Sequence, residues 1–399
     1  MGLNSTPSSE RVHIGIFGKR NAGKSSVINA MTGQSLAIVS DVKGTTTDPV
    51  SKAMELLPLG PVVMIDTPGI DDEGELGALR VKKSYQVLNK TDIAVLVVDA
   101  VQGMTIEDEA LLKRIRDKQI PYVVVYNKKD LAQGFVCPRE NGIAVSSETG
   151  ENIRELKELI AAQMPDEPQE RRIVGDLLSP SDFALLVVPI DKAAPKGRLI
   201  LPQQQTIRDI LEADATAIVV KENELCQTLK GLAKKPQIVI TDSQVFAKVS
   251  EDTPEDILLT SFSILFARYK GELQTFVEGV RAVETLMDGD QVLISEGCTH
   301  HRQCEDIGTV KLPRWIQEYT GKQLRFTFTS GVEFPEDLSK YRMIVHCGAC
   351  TLNAREMKYR IACAKDAGIP MTNYGILIAY VQGILKRSVQ AFPEIYRLL

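Results

Sequence analysis

The sequence lacks any apolar run long enough to cross a membrane. Its longest nearly uncharged apolar stretch, Tyr374–Leu385, falls well short of the roughly 18 residues that a spanning helix needs. It also lacks internal repeats and low-complexity tracts, and its hydrophobic fraction of 44% supplies material for several cores. Membrane-spanning, fibrous and wholly disordered chains are therefore excluded, and 399 residues predict two to three domains.

Positive charge is not in excess. The chain has 47 Lys and Arg against 52 Asp and Glu, a net charge of −5. This balance gives no electrostatic reason to expect nucleic-acid binding by the whole surface. The first eleven residues are polar and lack the apolar core of a secretory leader, so we expect a cytoplasmic protein. In a reducing compartment, clustered cysteines more often bind metal than form disulfides.

Between residues 12 and 164, short runs rich in Val and Ile alternate with segments of helical spacing. The predicted strands are Val12–Phe17, Val62–Asp66, Ile93–Asp99, Tyr122–Tyr126 and Ile143–Val145. The predicted helices are Ser25–Met31, Glu107–Lys118 and Ile153–Gln163. This alternation is typical of an α/β fold with a parallel sheet and helices on both faces. Two prolines and two acidic residues in Pro165–Pro168 then predict a linker.

Two smaller α/β domains are predicted beyond the linker, which gives domains at residues 1–168, 169–270 and 271–399. The strands predicted for the second domain are Ala184–Ile190, Ala217–Val220 and Gln237–Thr241, with helices at Gln204–Glu212 and Glu224–Leu232. The strands predicted for the third are Val292–Ile294, Arg325–Phe328 and Met343–Val345, with helices at Leu312–Thr320, Ala354–Asp366 and Ile376–Lys386.

One helix start is predicted from local chemistry. Thr253 has the features of an N-cap, Pro254 suits the first helical position, and Glu255 suits the positive end of the helix dipole. The predicted helix, which continues through residues 257–266, is apolar around its circumference. Such a helix is either buried within its domain or part of a subunit interface. Two cysteines in helical patterns, Cys226 and Cys363, are expected to be small core residues.

The most specific motif is Gly18–Ser25, which reads GKRNAGKS. It follows a predicted strand and opens a predicted helix, which is the context that a phosphate-binding P-loop requires. Its glycines let backbone N–H groups approach phosphate oxygens, and the helix N-terminus favours negative charge. Lys24 is placed to reach the β- and γ-phosphates, and the Ser25 hydroxyl is placed to ligate Mg²⁺.

Three further motifs indicate a guanine nucleotide. Asp66–Gly69 (DTPG) offers a carboxylate for the Mg²⁺ shell and a glycine N–H that can sense a γ-phosphate. Asn127–Asp130 (NKKD) ends in a carboxylate that can accept both N–H donors of a guanine edge. Ser146 and Ser147 are placed to support the base. All of these motifs follow predicted strands, at the strand ends where open α/β sheets bind ligands.

In this order and spacing the motifs resemble those of the translation-factor-related GTPases, over residues from about 12 to 164. The resemblance implies hydrolysis of GTP to GDP with Mg²⁺. The candidate residues for binding GTP, Mg²⁺ and K⁺ are Gly18, Asn21, Ala22, Gly23, Lys24, Ser25, Ser26, Thr46, Asp66, Asn127, Lys128, Asp130, Ser146 and Ser147. The candidate catalytic residues are Lys24, Thr46, Asp66 and Gly69.

Three details of the resemblance concern the hydrolytic step. Gly44–Asp48 is similar to the first switch of tRNA-modification and ribosome-assembly GTPases, which implies that Thr46 contacts Mg²⁺ when GTP is bound. Ile70 stands where many GTPases carry a glutamine that orients the attacking water, so slow intrinsic hydrolysis is expected. Asn21 matches an asparagine that coordinates K⁺ in potassium-activated relatives. The alternative for Asn21 is that it only caps the loop.

A second group of chemistry-bearing residues lies near the C-terminus. Four of the seven cysteines and three of the four histidines fall between residues 298 and 350. Cys298 and His300 follow a predicted strand, with Glu296 in the turn before them, and His346–Cys350 (HCGAC) follows another. Two adjacent strands would bring these groups into one cleft. From residue types alone, a Cys₃His zinc site and a 4Fe–4S cluster held by the same three cysteines both remain open.

A GTPase region followed by Cys-x-His and a distant His-Cys-x-x-Cys resembles the HydF family, the maturation GTPases of FeFe-hydrogenase, over essentially the whole chain. The resemblance implies a middle dimerisation domain, a homodimer and a 4Fe–4S cluster in the C-terminal domain. It implies a scaffold or carrier that delivers a diiron subcluster precursor to apo FeFe-hydrogenase, with radical-SAM hydrogenase maturases as further partners. The ligands carried over are Cys298, Cys347 and Cys350, with the fourth open among His300, His346 and Glu296.

The competing hypothesis is a ribosome- or tRNA-associated assembly GTPase whose cysteines hold a structural zinc ion. The acidic balance and the lack of an obvious basic RNA-binding segment argue against it. Neither hypothesis requires a membrane.

Overall fold

The chain folds into two units, Met1–Pro168 and Gln169–Leu399. A computed structural model describes residues 11–33, 49–70, 81, 84–132, 134–164, 172–189, 199–271, 273–297, 307–331, 333–335, 337–349 and 352–399. Within these ranges, no helix has both the length and the apolar character to span a bilayer.

The first unit is built on a six-stranded sheet in the order β2-β3-β1-β4-β5-β6. Its strands are β1 Val12–Phe17, β2 Val50–Leu56, β3 Gly60–Asp66, β4 Ile93–Asp99, β5 Tyr122–Asn127 and β6 Gly142–Ala144. All neighbours are parallel except β2, which pairs antiparallel with β3. The prediction missed β2 because most of its residues are exposed, so it has no buried apolar run.

Helices cover both faces of this sheet, as predicted. They are α1 Lys24–Thr32, α2 Ile106–Asp117 and α3 Ile153–Ala161, and a short 3₁₀ turn spans Lys129–Leu131. Because successive side chains of a strand point to opposite faces, the sheet has two cores. Val95 of β4 lies in the core beneath α1 and α3, and Leu96 lies in the core on the other side.

The second unit contains two four-stranded, all-parallel sheets, ordered β10-β9-β7-β8 and β12-β11-β13-β14. The strands are β7 Phe183–Val187, β8 Thr216–Val220, β9 Ile238–Thr241, β10 Leu258–Ser261, β11 Gln291–Ser295, β12 Arg325–Thr329, β13 Met343–His346 and β14 Met371–Asn373. One continuous hydrophobic core, from Ile173 to Phe392, runs through both sheets and the helices around them.

The helices of the second unit connect and cover these strands. They are α4 Leu201–Glu212, α5 Leu225–Gly231, α6 Phe246–Asp252, α7 Phe262–Lys270, α8 Leu273–Val280, α9 Leu312–Thr320, α10 Ala354–Asp366, α11 Tyr374–Val381, α12 Leu385–Ser388 and α13 Pro393–Tyr396. Single turns of 3₁₀ or π helix lie at Gly175–Leu177, Ser243–Val245, Arg281–Thr285 and Ile307–Lys311.

The helix predicted to start at Thr253 is wrong in its boundary. Thr253 instead follows α6, and its hydroxyl donates to the Val249 carbonyl at 2.6 Å. Residues 258–261 form β10, and the helix begins only at Phe262, where Ser261 caps the Ile264 amide. The predicted helix looked apolar on all sides because the segment contains two elements, a buried strand followed by a largely buried helix. Most of that helix is buried inside the unit.

The core placement expected for the two helical cysteines is wrong for one of them. Cys226 on α5 is exposed, and Cys363 on α10 is half-buried.

Candidate functional site

The loop between β1 and α1 has the backbone conformation of a phosphate-binding loop. Asn21 (φ 61°), Gly18 (φ 140°) and Gly23 (φ 89°) all have positive φ, a conformation that glycine adopts without steric cost. A Cβ at Gly23 would lie 2.2 Å from Asn127 Nδ2, and one at Gly18 would lie 2.2 Å from the Val97 carbonyl oxygen. Both positions therefore require glycine.

Lys24 sits at the first position of α1, where the strand-to-helix turn places it inside the loop. Its side chain is buried, and its Nζ donates to the carbonyl oxygens of Gly18 at 3.0 Å and Lys19 at 2.7 Å. The ammonium group is thus held over the loop whose N–H groups face the phosphates in this fold class. This is the position predicted for a group that neutralises phosphate charge.

Ser25 and Asp66 meet at the ends of neighbouring elements. The Ser25 hydroxyl donates to Asp66 Oδ2 at 2.7 Å, while the other carboxylate oxygen, Oδ1, is buried and has no hydrogen-bond partner among the described residues. Burial raises the pKa of Asp66, although the Ser25 hydrogen bond and the Lys24 charge act in the opposite direction. A hydroxyl beside an unsatisfied carboxylate oxygen is a donor set that suits Mg²⁺.

Asn127 joins the P-loop to the base-binding side. Its Nδ2 donates to the Ala22 carbonyl at 3.2 Å, and its Oδ1 accepts from the Ser147 amide at 3.1 Å. Ser146 is fully buried, and its hydroxyl accepts from the Thr149 amide at 3.1 Å. Four predicted segments of the nucleotide site therefore come together: the P-loop, Asp66, Asn127 and the Ser146–Ser147 turn.

Lys128 and Asp130 of the predicted base site also have defined positions. Lys128 has a positive φ of 66° and donates to Asp99 Oδ2 at 2.6 Å. Burial raises the pKa of Asp99, but hydrogen bonds from Lys128 and from the Val101 and Gln102 amides outweigh it, so the pKa is lowered overall. Asp130 is exposed, which leaves its carboxylate accessible to a base edge.

Thr46 lies outside the described residues, as do the whole predicted first switch and residues 71–80, which directly follow Ile70. Ile70 itself is buried, at 7% exposure. Its side chain packs into the core, and it has no polar group that could orient an attacking water.

In the second unit, the carboxyl ends of β11 and β13 bring together a group of residues that we call the cluster half-site: Glu296, Gly297, His346, Cys347 and Ala349. Ser295 and His346 are paired in the parallel register, and the Cys347 amide continues the ladder to the Ser295 carbonyl at 2.9 Å. Cys347 Sγ accepts from the backbone amides of Gly297 at 3.0 Å and Ala349 at 3.4 Å. Amide donors directed at a cysteine sulfur favour its thiolate form.

A buried arginine that the sequence did not reveal orders this half-site. Arg360 on α10 has no exposed surface. Its Nη1 donates to Ser295 Oγ at 3.2 Å and lies 3.1 Å from His346 Nε2, and its Nε donates to Glu356 Oε1 at 2.9 Å. Its Nη2 donates to the Gly331 carbonyl at 2.8 Å. One guanidinium therefore ties together the ends of β11 and β13.

Arg360 also determines which nitrogen of His346 carries the proton. A guanidinium can only donate, so His346 Nε2 acts as an acceptor. The proton is then on Nδ1, which lies 2.8 Å from the Cys347 carbonyl oxygen and donates to it. Both ring nitrogens are occupied, and the ring is fully buried.

Of the six predicted cluster residues, Glu296, His346 and Cys347 are described, and Cys298, His300 and Cys350 lie outside the described residues. Glu296 is buried and accepts from the Tyr374 hydroxyl at 3.2 Å. No group of three His, Cys, Asp or Glu side chains with metal-binding geometry occurs in the part of the chain that is described.

Comparison with known proteins shows which proteins the first unit is similar to. Residues 13–128 match the family of 50S ribosome-binding GTPases. A tRNA modification GTPase MnmE from Synechococcus sp. is 38% identical over 154 residues, which cover 37% of this chain and 33% of the relative. GTPase Der from Clostridium perfringens is 36% identical over 128 residues, with 31% and 29% covered. The chain thus spans about a third of the length of the curated relatives it matches.

Among solved structures, an Era variant from Aquifex aeolicus bound to GDP and aluminium fluoride aligns with a TM-score of 0.34 and 20% identity. The alignment covers 52% of this chain and 93% of that one. The P-loop geometry, the sheet and the family match define the chain as a P-loop GTPase, an enzyme class that hydrolyses GTP.

The second unit identifies the family. Residues 173–271 match the hydrogen maturase F dimerization domain, and residues 274–391 match the hydrogen maturase F tetramerization domain. These two matches together cover more than half of the chain, and they follow the GTPase domain in order. The chain belongs to the hydrogen maturase F (HydF) family, which confirms the resemblance found in the sequence, and it carries two oligomerization domains.

Proposed function

We propose that the chain is a K⁺-activated GTPase that binds a 4Fe–4S cluster and delivers a diiron subcluster precursor to apo FeFe-hydrogenase. The observation that carries the cluster assignment is the environment of Cys347. Its sulfur receives two backbone N–H groups at the carboxyl edge of a parallel sheet. Hydrogen bonds to cysteine sulfur are among the features that tune iron–sulfur clusters. A cluster bound here supplies electron storage and an iron site open to exchange.

The proposed protein ligands are Cys298, Cys347 and Cys350. His346 is the least suitable of the three candidates for the fourth position, because both of its ring nitrogens already make hydrogen bonds. His300 and Glu296 remain. Glu296 is supported by its place beside Gly297, whose amide donates to Cys347 Sγ.

In the nucleotide site, the positions of Lys24, Ser25 and Asp66 support the roles proposed for them. Lys24 neutralises charge on the β- and γ-phosphates, and Ser25 and Asp66 hold the Mg²⁺ ion. Thr46 completes the Mg²⁺ shell and Gly69 senses the γ-phosphate. Asn21 and a K⁺ ion supply the positive charge that other GTPases take from an arginine finger. Asp130 reads the guanine edge, with Ser146 and Ser147 behind it.

GTP binding and hydrolysis would reorder the switch segments and so bias the association with partner proteins. The proposed partners are apo FeFe-hydrogenase, the radical-SAM hydrogenase maturases and a second copy of the chain, in the cytoplasm and without nucleic acid. The proposed domains are a GTPase domain at 1–168, a dimerisation domain at 169–270 and a cluster domain at 271–399.

Two edge strands of the second unit support self-association. β8 and β12 each lie at the edge of a four-stranded parallel sheet and have the same pattern of exposure along their five residues. β-branched and aromatic side chains remain partly exposed on them, including Val219 and Phe328. An edge strand of this composition is a site where another chain can pair.

Anaerobic reconstitution with iron and sulfide, followed by EPR of the reduced protein, tests the cluster. The wild type should give a 4Fe–4S signal, and Cys298→Ser, Cys347→Ser and Cys350→Ser should each lose most of it. Cys226→Ser is the matched control, because Cys226 is exposed on α5. A full signal in all three ligand variants would refute the ligand set. A colourless protein that binds one zinc ion would instead support the RNA-associated alternative.

The role of K⁺ is tested by GTP hydrolysis in matched KCl and NaCl. The wild type should turn over several-fold faster in K⁺, and Asn21→Ala should remove the difference. Equal rates for the wild type in the two salts would contradict the proposal for Asn21.

A further inference from the structure

The turn that follows β3 in the first unit is held by hydrogen bonds to two other parts of the chain. Thr67, the first residue after β3, is buried, and its hydroxyl donates to the Ile16 carbonyl of β1 at 2.7 Å. Pro68 comes next, and its carbonyl oxygen accepts from the Ser84 hydroxyl at 3.1 Å. The second of these bonds joins the turn to a residue that lies outside every nucleotide-binding motif.

Ser84 lies in a helical segment at residues 84–88 and has no exposed surface. Val87 of this segment and Ile70 belong to the same hydrophobic core on one face of the sheet. The hydroxyl of Thr91, just beyond the segment, donates to the Val87 carbonyl at 2.8 Å. The segment is therefore anchored by contacts of its own, which gives the Ser84 hydroxyl a fixed position.

The Pro68 carbonyl belongs to the same peptide group as the Gly69 N–H. A peptide group is planar, and in its trans form the C=O and N–H bonds point in opposite directions. This peptide is trans, since the cis peptide in the described ranges is Leu57–Pro58. A hydrogen bond that draws the Pro68 oxygen towards Ser84 therefore directs the Gly69 N–H away from the helical segment.

The Gly69 N–H is available to a ligand, because it donates no hydrogen bond within the part of the chain that the structure describes. Backbone N–H groups in folded proteins are almost always paired, with protein, water or a ligand. We propose that Ser84 is a positioning residue for GTP hydrolysis, which orients the Gly69 amide for the γ-phosphate. The inference deepens the proposed function, because it rests on γ-phosphate sensing by Gly69.

The chemistry of the two nucleotides gives this role a specific signature. GDP lacks the γ-phosphate, so a group that acts only on that phosphate affects the binding of GTP and leaves the binding of GDP unchanged. Ser84 acts through the Gly69 amide alone. A residue that only stabilised the fold would instead change both affinities together.

The test uses the full chain and three substitutions. Ser84→Ala removes the hydroxyl, and because alanine is the better helix former, the variant should fold. Ser84→Thr keeps a hydroxyl at the same position of the backbone. Thr91→Val is the matched control, because it removes a buried hydroxyl that donates within the same region but not to Pro68. Circular dichroism verifies that each variant is folded.

Titrations with GDP and with β,γ-imido GTP give two affinities for each variant. In Ser84→Ala the affinity for β,γ-imido GTP should fall by about 2- to 10-fold, the range for one hydrogen bond, with the affinity for GDP unchanged. The kcat/KM for GTP should fall by the same factor. Ser84→Thr should recover most of the loss, and Thr91→Val should keep the wild-type ratio of the two affinities. If Ser84→Thr does not fold, the comparison of Ser84→Ala with Thr91→Val decides the question.

A wild-type ratio of affinities in folded Ser84→Ala would overturn the inference, and so would equal losses for both nucleotides. Gly69→Pro, which removes the N–H itself, tests the proposed role of Gly69 separately. A lowered ratio in folded Gly69→Pro beside a wild-type ratio in Ser84→Ala would overturn the inference alone. A wild-type ratio in folded Gly69→Pro would overturn γ-phosphate sensing by Gly69 as well, so the two failures are distinguishable.

Discussion

The nucleotide site and the cluster half-site lie at the same kind of place, the carboxyl ends of parallel strands, but they are held in different ways. The P-loop takes its shape from positive-φ residues within one short segment, such as Gly18 and Gly23. The cluster half-site takes its shape from side chains on other elements, chiefly Arg360 on α10 and Lys270 on α7.

This difference determines what each site tolerates. A loop defined by its own backbone is damaged mainly by substitutions inside it. A loop held by buried cations is damaged by substitutions far from it in sequence, because a buried charge without its partner is strongly destabilising. The nucleotide site should therefore respond to local changes, and the cluster half-site to distant ones.

The largest expected effect is that of Arg360→Met. The substitution leaves the buried Glu356 carboxylate uncompensated and removes the donor to His346, at a cost of about 3–5 kcal/mol in unfolding free energy. Trp315, the single tryptophan, lies on α9 of the second unit, so its fluorescence in urea follows this transition. Arg314→Met is the control, because its ion pair with Glu318 is exposed at 3.8 Å and should contribute less than about 1 kcal/mol. Equal losses of stability in the two variants would contradict the claim that a buried cation holds the cluster half-site.

The second effect is that of Lys24→Ala, which should slow GTP hydrolysis by about 100- to 1000-fold, the range for loss of one charge-stabilising donor. The unfolding of the second unit, followed through Trp315, should not change. Phosphate release at saturating GTP measures the rate, with Lys113→Ala, an exposed lysine on α2, as the control. A loss smaller than about tenfold would mean that Lys24 does not act on the phosphates.

Gly23→Ala should cost about 1–3 kcal/mol in stability, the usual cost of a residue forced into a sparsely populated conformation, and it should also weaken nucleotide binding. The reason is the added Cβ, which would lie 2.2 Å from Asn127 Nδ2. Gly33→Ala separates the two causes, since Gly33 also has positive φ but has no atom within 4 Å of an added Cβ. Thermal unfolding and GDP titration should therefore show strain in both variants but loss of affinity only in Gly23→Ala.

The smallest effect concerns a polar contact of the second unit that, like the cluster half-site, joins distant elements. Tyr319 and Tyr380 both donate to Glu284 Oε1, at 2.5 and 3.0 Å. The hydrogen bond to Glu284, with desolvation and its negative charge, raises the pKa of Tyr319 to about 12. Tyr319 therefore keeps its proton in the native state at a pH where the unfolded chain loses it, near pH 10. The stabilising contribution of the Tyr319 hydrogen bond falls as the pH rises from 10 to about 12.

Glu284→Gln should lower the pKa of Tyr319 toward its ordinary value, as measured by absorbance at 295 nm against pH. Glu278→Gln, on α8, is the control, because Glu278 pairs with Gln274 and contacts neither tyrosine. An unchanged titration in Glu284→Gln would contradict the contact.

The sequence predicted which segments of the proposed nucleotide site lie together, because that information is local. The P-loop, Asp66 and Asn127 each follow a buried apolar run, and the strands bring them together. The exposed strand β2 was missed for the opposite reason, since it has no such run. The N-cap signature at Thr253 misled because a capping residue and a turn residue share the same chemistry.

The supports of the cluster half-site could not be predicted in this way. Arg360 contacts Ser295, 65 residues away, and Lys270 contacts Ala349, 79 residues away. In the sequence, each is indistinguishable from any other basic residue on a helix, because its contact forms only in the folded chain. Periodicity reports that a helix has a buried face, but it does not report which distant carbonyl meets a lysine there.

The topology of the second sheet also has a consequence for the timing of biosynthesis. β11 and β13 are neighbours in the sheet, although β12 and α9 lie between them in the chain. Gly297 and Cys347 are 50 residues apart, and a ribosome adds about 5–20 residues per second. The nascent chain therefore exposes its first cysteine motif for seconds before its partner strand exists, and Arg360 is made later still. In the proposed function, iron would therefore bind only after β13 has been made, unlike metal binding to a short zinc-binding module whose ligands are adjacent when they emerge.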